Sequence, residues 1–462
     1  MKVILINSPL FRNRNDRYDE DSLPPIGLGY IATQLKNSGI AVELIDAVYQ
    51  RIPLVDLIAM LSAKRPDVIG INIFTTNYEL VKDICEGLDF PTRIVVGGLS
   101  TRELYKNILT WKTDNPIDVI TGDGERIMLD IVRGSVSDTA FLNEGNRRVF
   151  KVDNHSSYLV DDISDVALDR TFFMNEPVLH PLGFIEANIV TSRGCVYNCT
   201  FCAAARSLNR DYPVRERSVS SIKAELHEIA TQLPTVSSIR VLDDLFLKSK
   251  ASIQKAIEIF SPFTFQWRSM AHVQTFRNVE DDLMDGLRDS GCHELFIGIE
   301  SGSPRILENI NKTKDVAVIV ENLTKSFKAG IPIKGYFIYG FPGETEKDMQ
   351  MTYELAVQLK DISRRYGVNF RTSVFQYRPY HSSQIYHDLE AQGKSLQVSQ
   401  VEPNEALSSL VGRLQFNFHS GNYSEVGNQV VQDYIYRTIN LNGGNIFSDF
   451  SPDGGPLQRE NL

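Results

Sequence analysis

The 462-residue sequence predicts an α/β protein: a doubly wound parallel sheet, then a partial (β/α)6 barrel, then a small mixed C-terminal segment. Three observations carry that prediction. Short apolar runs alternate with helical stretches five times up to residue 135, the pattern of a parallel sheet with helices on both faces. The alternation stops over residues 136–183, a polar, irregular stretch that reads as a linker or flap. It then resumes and repeats six times within 184–390, short of the eight units of a closed barrel.

The elements follow in order. Val3–Ile6 is an apolar strand, and a charged loop, "FRNRNDRYDEDS", leads to "LPPIGLGYIATQLKNSG", a helix stopped at Gly39. The strand "AVELIDA", the helix "PLVDLIAMLSAKR" and the strand "DVIGINIF" come next. A helix over 78–89, the strand "RIVVGG", a helix over 102–111, the strand "IDVITG" and a helix from Glu125 complete the unit at 1–135. The second series opens on the strand "FIEANIVTS", followed by a helix at 218–233, "SIRVLDD" and a helix at 250–260. "FTFQWRSMAH", "VEDDLMDGLRDSG", "ELFIGIES" and "VAVIVENLTKSFKAG" continue the alternation. "PIKGYFIYGFPG", a helix at 345–362 and "NFRTSVFQYRP" close it. Residues 391–462, rich in Asn, Ser and Gln, carry helices near 404–414 and 424–438.

Composition narrows the function classes. The chain is 42% apolar and 23% charged, as a globular protein is. A net charge of −10 argues against a general role on nucleic acid or anionic membranes. "MKVILINSP" lacks the basic flank and cleavage site of a signal peptide, and no apolar run reaches the roughly 18 residues of a spanning helix. Five cysteines, an odd number, do not suggest a secreted disulfide framework, so a reducing cytoplasm is expected.

Three of those cysteines stand within eight positions, in "TSRGCVYNCTFCAAA". Cys195, Cys199 and Cys202 are spaced C-x3-C-x2-C on the loop that leaves the first barrel strand. Structural zinc wants a fourth ligand, and no histidine lies between His180 and His227, while Cys85 and Cys292 stand alone as small buried side chains. A cubane iron–sulfur cluster held by three thiolates keeps one iron open. A zinc site or a disulfide with a spare thiol is the bland alternative.

"RGCVYNCTFC" resembles the signature of radical SAM enzymes, including the aromatic Phe201 before the third cysteine. The resemblance implies one 4Fe–4S cluster on Cys195, Cys199 and Cys202, whose open iron binds S-adenosylmethionine (SAM) and cleaves it to methionine and a 5′-deoxyadenosyl radical. Further matches imply SAM or substrate contacts at Asp243 and Asp244 ("RVLDDLF"), at Glu300 and Ser301 ("GIESGSP"), and at Phe337 and Tyr339 ("GYFIYGFPGET"). Arg378, in "FQYRPYHSSQIY", belongs to the segment similar to the sixth-strand motif, although His381-Ser382-Ser383 replaces the usual Pro-Gly-Thr or Pro-Gly-Ser. Each has a bland reading as well. Asp243 caps a turn, Glu300 faces solvent, and of Tyr336 and Phe337 one must be core because neighbours on a strand alternate faces. Arg206, Arg210, Arg215 and Arg217 read as a solvated stretch.

The N-terminal unit is similar to the Rossmann-like cobalamin-binding domain that precedes the barrel in a large radical SAM subfamily, through "PPIGLGYIATQLKNSGIAVELIDA", "VVGG" and "GDGE". That implies cobalamin near Thr75, Gly97, Gly98, Gly122 and Glu125, although the glycines equally make tight turns. The lower-ligand motif Asp-x-His-x-x-Gly is absent. The resemblance implies cobalamin-dependent C-methylation of a small molecule, in natural-product or cofactor biosynthesis, fed by an external low-potential electron donor of flavodoxin or ferredoxin type. Sugar-diol dehydration without cobalamin is the alternative on the same fold, and a non-catalytic iron–sulfur redox sensor the alternative of another class. Too few cysteines remain for a second cluster.

Overall fold

A computed structural model describes residues 1–9, 23–179, 183–381, 383–394 and 421–443, and the backbone of 399–400 and 418–419. Five parallel strands begin the chain: β1 (Lys2–Asn7), β2 (Ala41–Asp46), β3 (Val68–Asn72), β4 (Arg93–Gly97) and β5 (Ile117–Gly122), ordered β2-β1-β3-β4-β5. The "KVILIN" run is apolar without alternation because both faces of β1 are covered. Val3 and Leu5 join the core under α1 (Ile26–Asn37) and α5 (Glu125–Arg133). Ile4 and Ile6 join the opposite core under α2 (Leu54–Lys64), α3 (Tyr78–Glu86) and α4 (Thr101–Ile108).

The 136–183 stretch differs from the expected irregular linker. Its hairpin, β6 (Leu142–Glu144) and β7 (Arg147–Val152), extends the first sheet, with β7 parallel to β5. Three basic residues in "RRVFKV" mask the strand in the sequence, and one of them, Arg148, makes two hydrogen bonds (2.7 and 2.9 Å) to the buried Asp118 of β5. Farther along, Phe173 packs on α1 so closely that a Cβ on Gly29 would lie 2.3 Å from its ring. Arg170 donates to Glu176 (2.6 Å) and to Glu225 (2.5 Å).

The second sheet opens with a short antiparallel edge, β8 (Val178–Leu179), and the first barrel strand, β9 (Ile185–Ile189). A two-stranded ribbon, β10 (Ser192–Arg193) with β11 (Arg215–Glu216), brackets the cysteine loop. The barrel continues through β12 (Ser238–Val241), β13 (Gln266–Ala271), β14 (Cys292–Glu300), β15 (Ile333–Tyr339) and β16 (Phe370–Gln376), giving the six parallel strands the sequence predicts. The helices α6 (Val219–Gln232), α7 (Lys250–Phe260), α8 (Asp281–Asp289), α9 (Pro304–Asn309), α10 (Val316–Lys328) and α11 (Glu346–Arg365) connect them. α12 (Gln384–Ala391) follows, and α13 (Asn428–Asn440) packs along α11 and β16 where a helix near 424–438 is expected. The helix expected at 404–414 lies outside the described residues.

Candidate active site at the facing strand ends

The cysteine loop sits at the carboxyl end of β9 and is fixed from below. Asp243, at the end of β12, accepts from the Thr191 amide (2.6 Å), the Thr191 hydroxyl (2.5 Å) and the Ser192 hydroxyl (2.7 Å). Asp244 Oδ2 accepts the Gly194 amide at 3.1 Å. All three cysteines are free and partly accessible. Burial raises the proton affinity of each thiol, and that of Cys202 is pushed up to about 12. Such thiols become thiolates only when a cation binds them. Among the described residues no trio of His, Cys, Asp or Glu converges on a single ion. Ligands to separate irons of one cluster need no such convergence.

Around this loop the other strand ends supply a charged rim. Glu300 closes β14 in a left-handed conformation (φ 67°) just past a bulge, which re-aims its side chain. Its Oε1 accepts from Lys312 Nζ at 2.8 Å, and both side chains are under 9% exposed. A Cβ on Gly298 would lie 2.2 Å from that carboxylate, so the glycine clears its place. Cys199 feels both charges, after burial, Lys312 lowering and Glu300 raising its affinity for protons. His272, just beyond β13, stacks on Tyr197 of the cysteine loop (3.8 Å, 13°). Its Nδ1 accepts the Gln274 amide, its buried Nε2 has no partner, and desolvation holds it neutral, down to about 3. Phe201 meets Phe341 edge-on at 5.8 Å. Arg378 is buried, which lowers it to about 10, and Tyr380 beside it also senses Cys202.

Several expected contacts point elsewhere. Phe337 and Tyr339 face the outer helices: Phe337 packs against Phe370, and the Tyr339 hydroxyl meets Thr438 of α13 at 2.7 Å. Strand parity turns Tyr336 and Ile338 inward instead. Ser301 is fully buried and bonds the Thr352 hydroxyl (3.0 Å) and the Ser303 amide (3.1 Å). Asp243 spends its oxygens on the loop anchor. Arg215 and Arg217 are not solvated: Arg215 pairs with Asp123 and Arg217 with Glu225, each about nine-tenths buried.

The N-terminal sheet presents its own strand ends to the same space. Arg193, two residues before Cys195, bonds Glu125 Oε1 (2.5 Å) and Asp123 Oδ1 (3.1 Å). Arg215 adds a second bond to Asp123 (3.0 Å) and one to the Val160 carbonyl (2.5 Å). Tyr212 reaches the Thr121 hydroxyl at 2.9 Å, and His381 Nδ1 meets the Thr75 hydroxyl at 3.0 Å. Gly122 (φ 116°) is packed, because a Cβ there would sit 2.2 Å from the Val152 carbonyl. Gly98 (φ 115°) lies as tightly on Ile73, at 2.6 Å, whereas Gly97 opens on free space. Beside it, Phe74 and Leu99 leave 44% and 37% of their surface exposed.

Comparison with known proteins agrees with this arrangement. The Radical SAM superfamily profile matches residues 189–356, and the B12 binding domain profile matches residues 19–132. The chain carries a radical SAM domain and a B12-binding domain. This radical SAM chain is 26% identical over 369 residues to an uncharacterized methyltransferase of Pyrococcus horikoshii, covering 78% of each chain. It is 24% identical over 477 residues to the cytidylyl-2-hydroxyethylphosphonate methyltransferase of Streptomyces wedmorensis, covering 88% of this chain and 84% of the relative. Among solved structures, the radical SAM methyltransferase TsrM of Kitasatospora setae, with cobalamin and a [4Fe-4S] cluster bound, superposes with a TM-score of 0.64 at 15% identity. That superposition covers 95% of this chain and 91% of TsrM, and shows a shared fold.

The radical SAM assignment fits the residues present. Three free thiols on one anchored loop suit three corners of a cubane cluster. Gly97 with the accessible Phe74 and Leu99 suits the apolar face of a large planar cofactor, whereas Glu125 and Gly122 are committed to packing the two units together. Sequence reasoning missed Lys312, which no motif marks, and His272. The histidine had a signal: it ends "FTFQWRSMAH", at the position where barrel strands deliver functional groups.

Proposed function

We propose that this enzyme methylates a carbon of a small molecule, using one 4Fe–4S cluster on Cys195, Cys199 and Cys202, SAM, and cobalamin. The observation that carries this reading is the docking of the two sheets with their carboxyl ends toward each other, through Arg193–Glu125, Tyr212–Thr121 and His381–Thr75. When bound, the cluster and SAM supply the radical, and methylcobalamin supplies the methyl group. The chain's own residues hold and orient. Asp244, Glu300 with Lys312, and Arg378 are the charged groups offered to SAM, with Phe201 against its apolar parts. Gly97, Phe74 and Leu99 are the surface offered to cobalamin, and Thr75, bonded to His381, fixes the rim between them. The methyltransferase names of the relatives support the reaction type. An external low-potential donor of flavodoxin or ferredoxin type and a cytoplasmic setting complete the proposal. Among the described residues, no helix is long and apolar enough to cross a membrane.

Anaerobic reconstitution with iron, sulfide and hydroxocobalamin tests it. About four irons and one cobalt per chain are expected, and the reduced protein with SAM should release 5′-deoxyadenosine and methionine. Cys199→Ala should lose both the cluster absorption and the cleavage. Four irons without cobalt would overturn the methylation reading in favour of a SAM-only reaction such as diol dehydration. Neither product from a loaded cluster would make the protein a sensor.

A further inference from the structure

The surface offered to cobalamin holds no imidazole of its own. Residues 1–154 contain no histidine, so the B12-binding unit brings none to the cobalt. The barrel brings two to that unit. His387 of α12 is engaged by carboxylates, Glu103 at 3.7 Å and Glu390 at 4.0 Å. His381, in the turn between β16 and α12, makes no ion pair among the described residues.

Two contacts tie His381 to the first unit. Its backbone amide (3.3 Å) and its Nδ1 (3.0 Å) both meet the Thr75 hydroxyl. Thr75 opens the turn after β3, beside the accessible Phe74, and the last residue of β3 is in register with Gly97. Tyr386 braces the ring, with centroids 5.0 Å apart. Among the described residues Nε2 has no hydrogen-bond partner. Burial lowers the proton affinity of the ring to about 4, so it is uncharged near neutrality. Packing does not call for an imidazole here. The side chain is partly exposed, and related enzymes carry Pro-Gly-Thr or Pro-Gly-Ser over these three positions.

We propose that His381 Nε2 is an axial ligand to the cobalt of cobalamin. An imidazole that binds a metal through one nitrogen almost always hydrogen-bonds through the other, which fixes its tautomer and its aim. With Nδ1–H donating to Thr75, the lone pair of Nε2 stays free beside the surface offered to the corrin. The ligand comes from the barrel and its orienting hydroxyl from the B12-binding unit, so coordination requires the two to be docked. The inference rests on the proposed function for cobalamin binding, and its test separates the two.

The full chain, reconstituted with iron, sulfide and hydroxocobalamin and reduced to cobalt(II), is read by electron paramagnetic resonance. Spectra are compared with ordinary and with heavy-nitrogen histidine in the protein. One ordinary axial nitrogen splits each cobalt line into three and a heavy one into two, while the base of cobalamin itself is blind to the label. Label-dependent splitting is expected in the parent, absent from His381→Ala and independent of the label when free imidazole restores it there. Thr75→Val, which keeps the ligand and removes its orienting bond, should weaken cobalamin binding about tenfold in spectrophotometric titration. Cobalt bound with no splitting, or with a splitting indifferent to the label, would overturn the inference and leave methylation standing. A parent that takes up no cobalt would overturn both. The labelled parent decides without any variant, so a folding defect in His381→Ala leaves the outcome readable.

Discussion

Glu344 shows how one side chain sets a pH response. Its Oε2 accepts the Gly340 and Phe341 amides (2.5 and 3.0 Å), while its buried Oε1 has no partner. Burial outweighs those bonds and pushes the carboxyl up to about 8, from about 4.5 when unfolded. Raised in the folded state, the group contributes stability that is complete below pH 4.5 and is lost as pH rises toward 8. Denaturant melts should show the parent losing on the order of 3–4 kcal/mol across that window. Glu344→Gln should be flat there; an equal slope in the variant would assign the loss to other groups. The cysteines were legible at this scale because their ligand chemistry lies in short-range spacing. Lys312 was not, since its partner Glu300 is reached only through the fold, and Phe337 and Tyr339 were misdirected because strand parity needs one anchored residue to fix it.

At the scale of elements, the end of β14 depends on a glycine. Gly298 leaves room for the Glu300–Lys312 pair, and the following bulge puts Glu300 at positive φ. Gly298→Ala should displace a buried ion pair and cost about 3 kcal/mol of stability, read from denaturant midpoints. SAM binding by equilibrium dialysis should weaken at least tenfold, and unchanged binding would remove Glu300 from the SAM site. Gly122→Ala faces backbone rather than a side chain, at the Val152 carbonyl, so β7 must leave β5. Lower expression and a melting temperature several degrees down are expected. The strands with apolar cores were all readable, whereas β7 was hidden because three of its six residues are basic and one of these, Arg148, finds its counter-charge on a neighbouring strand.

Across the whole molecule, the division into a sheet and a barrel was legible from alternation alone, but their joint was not. Arg215 reads as part of a solvated stretch and nothing in the sequence marks Arg193, until the fold brings Asp123 and Glu125 to them from 68 to 92 residues away. Arg193→Met would strand a buried carboxylate and should cost about 3–5 kcal/mol. Calorimetry of the variant should show two separate transitions where the parent shows one. A single unshifted transition would mean that the joint is held elsewhere. The same arginine lies two residues from the first cluster cysteine, so the joint between the units and the cysteine loop share a residue. The acidic pair belongs to the B12-binding unit, and the arginines that cover it belong to the barrel. The cysteine loop is then held from two sides, by Asp243 and Asp244 of the barrel and by Arg193 on that pair. A lesion that removes the acidic pair from the first unit therefore takes away one of the two supports of the loop that carries the cysteines.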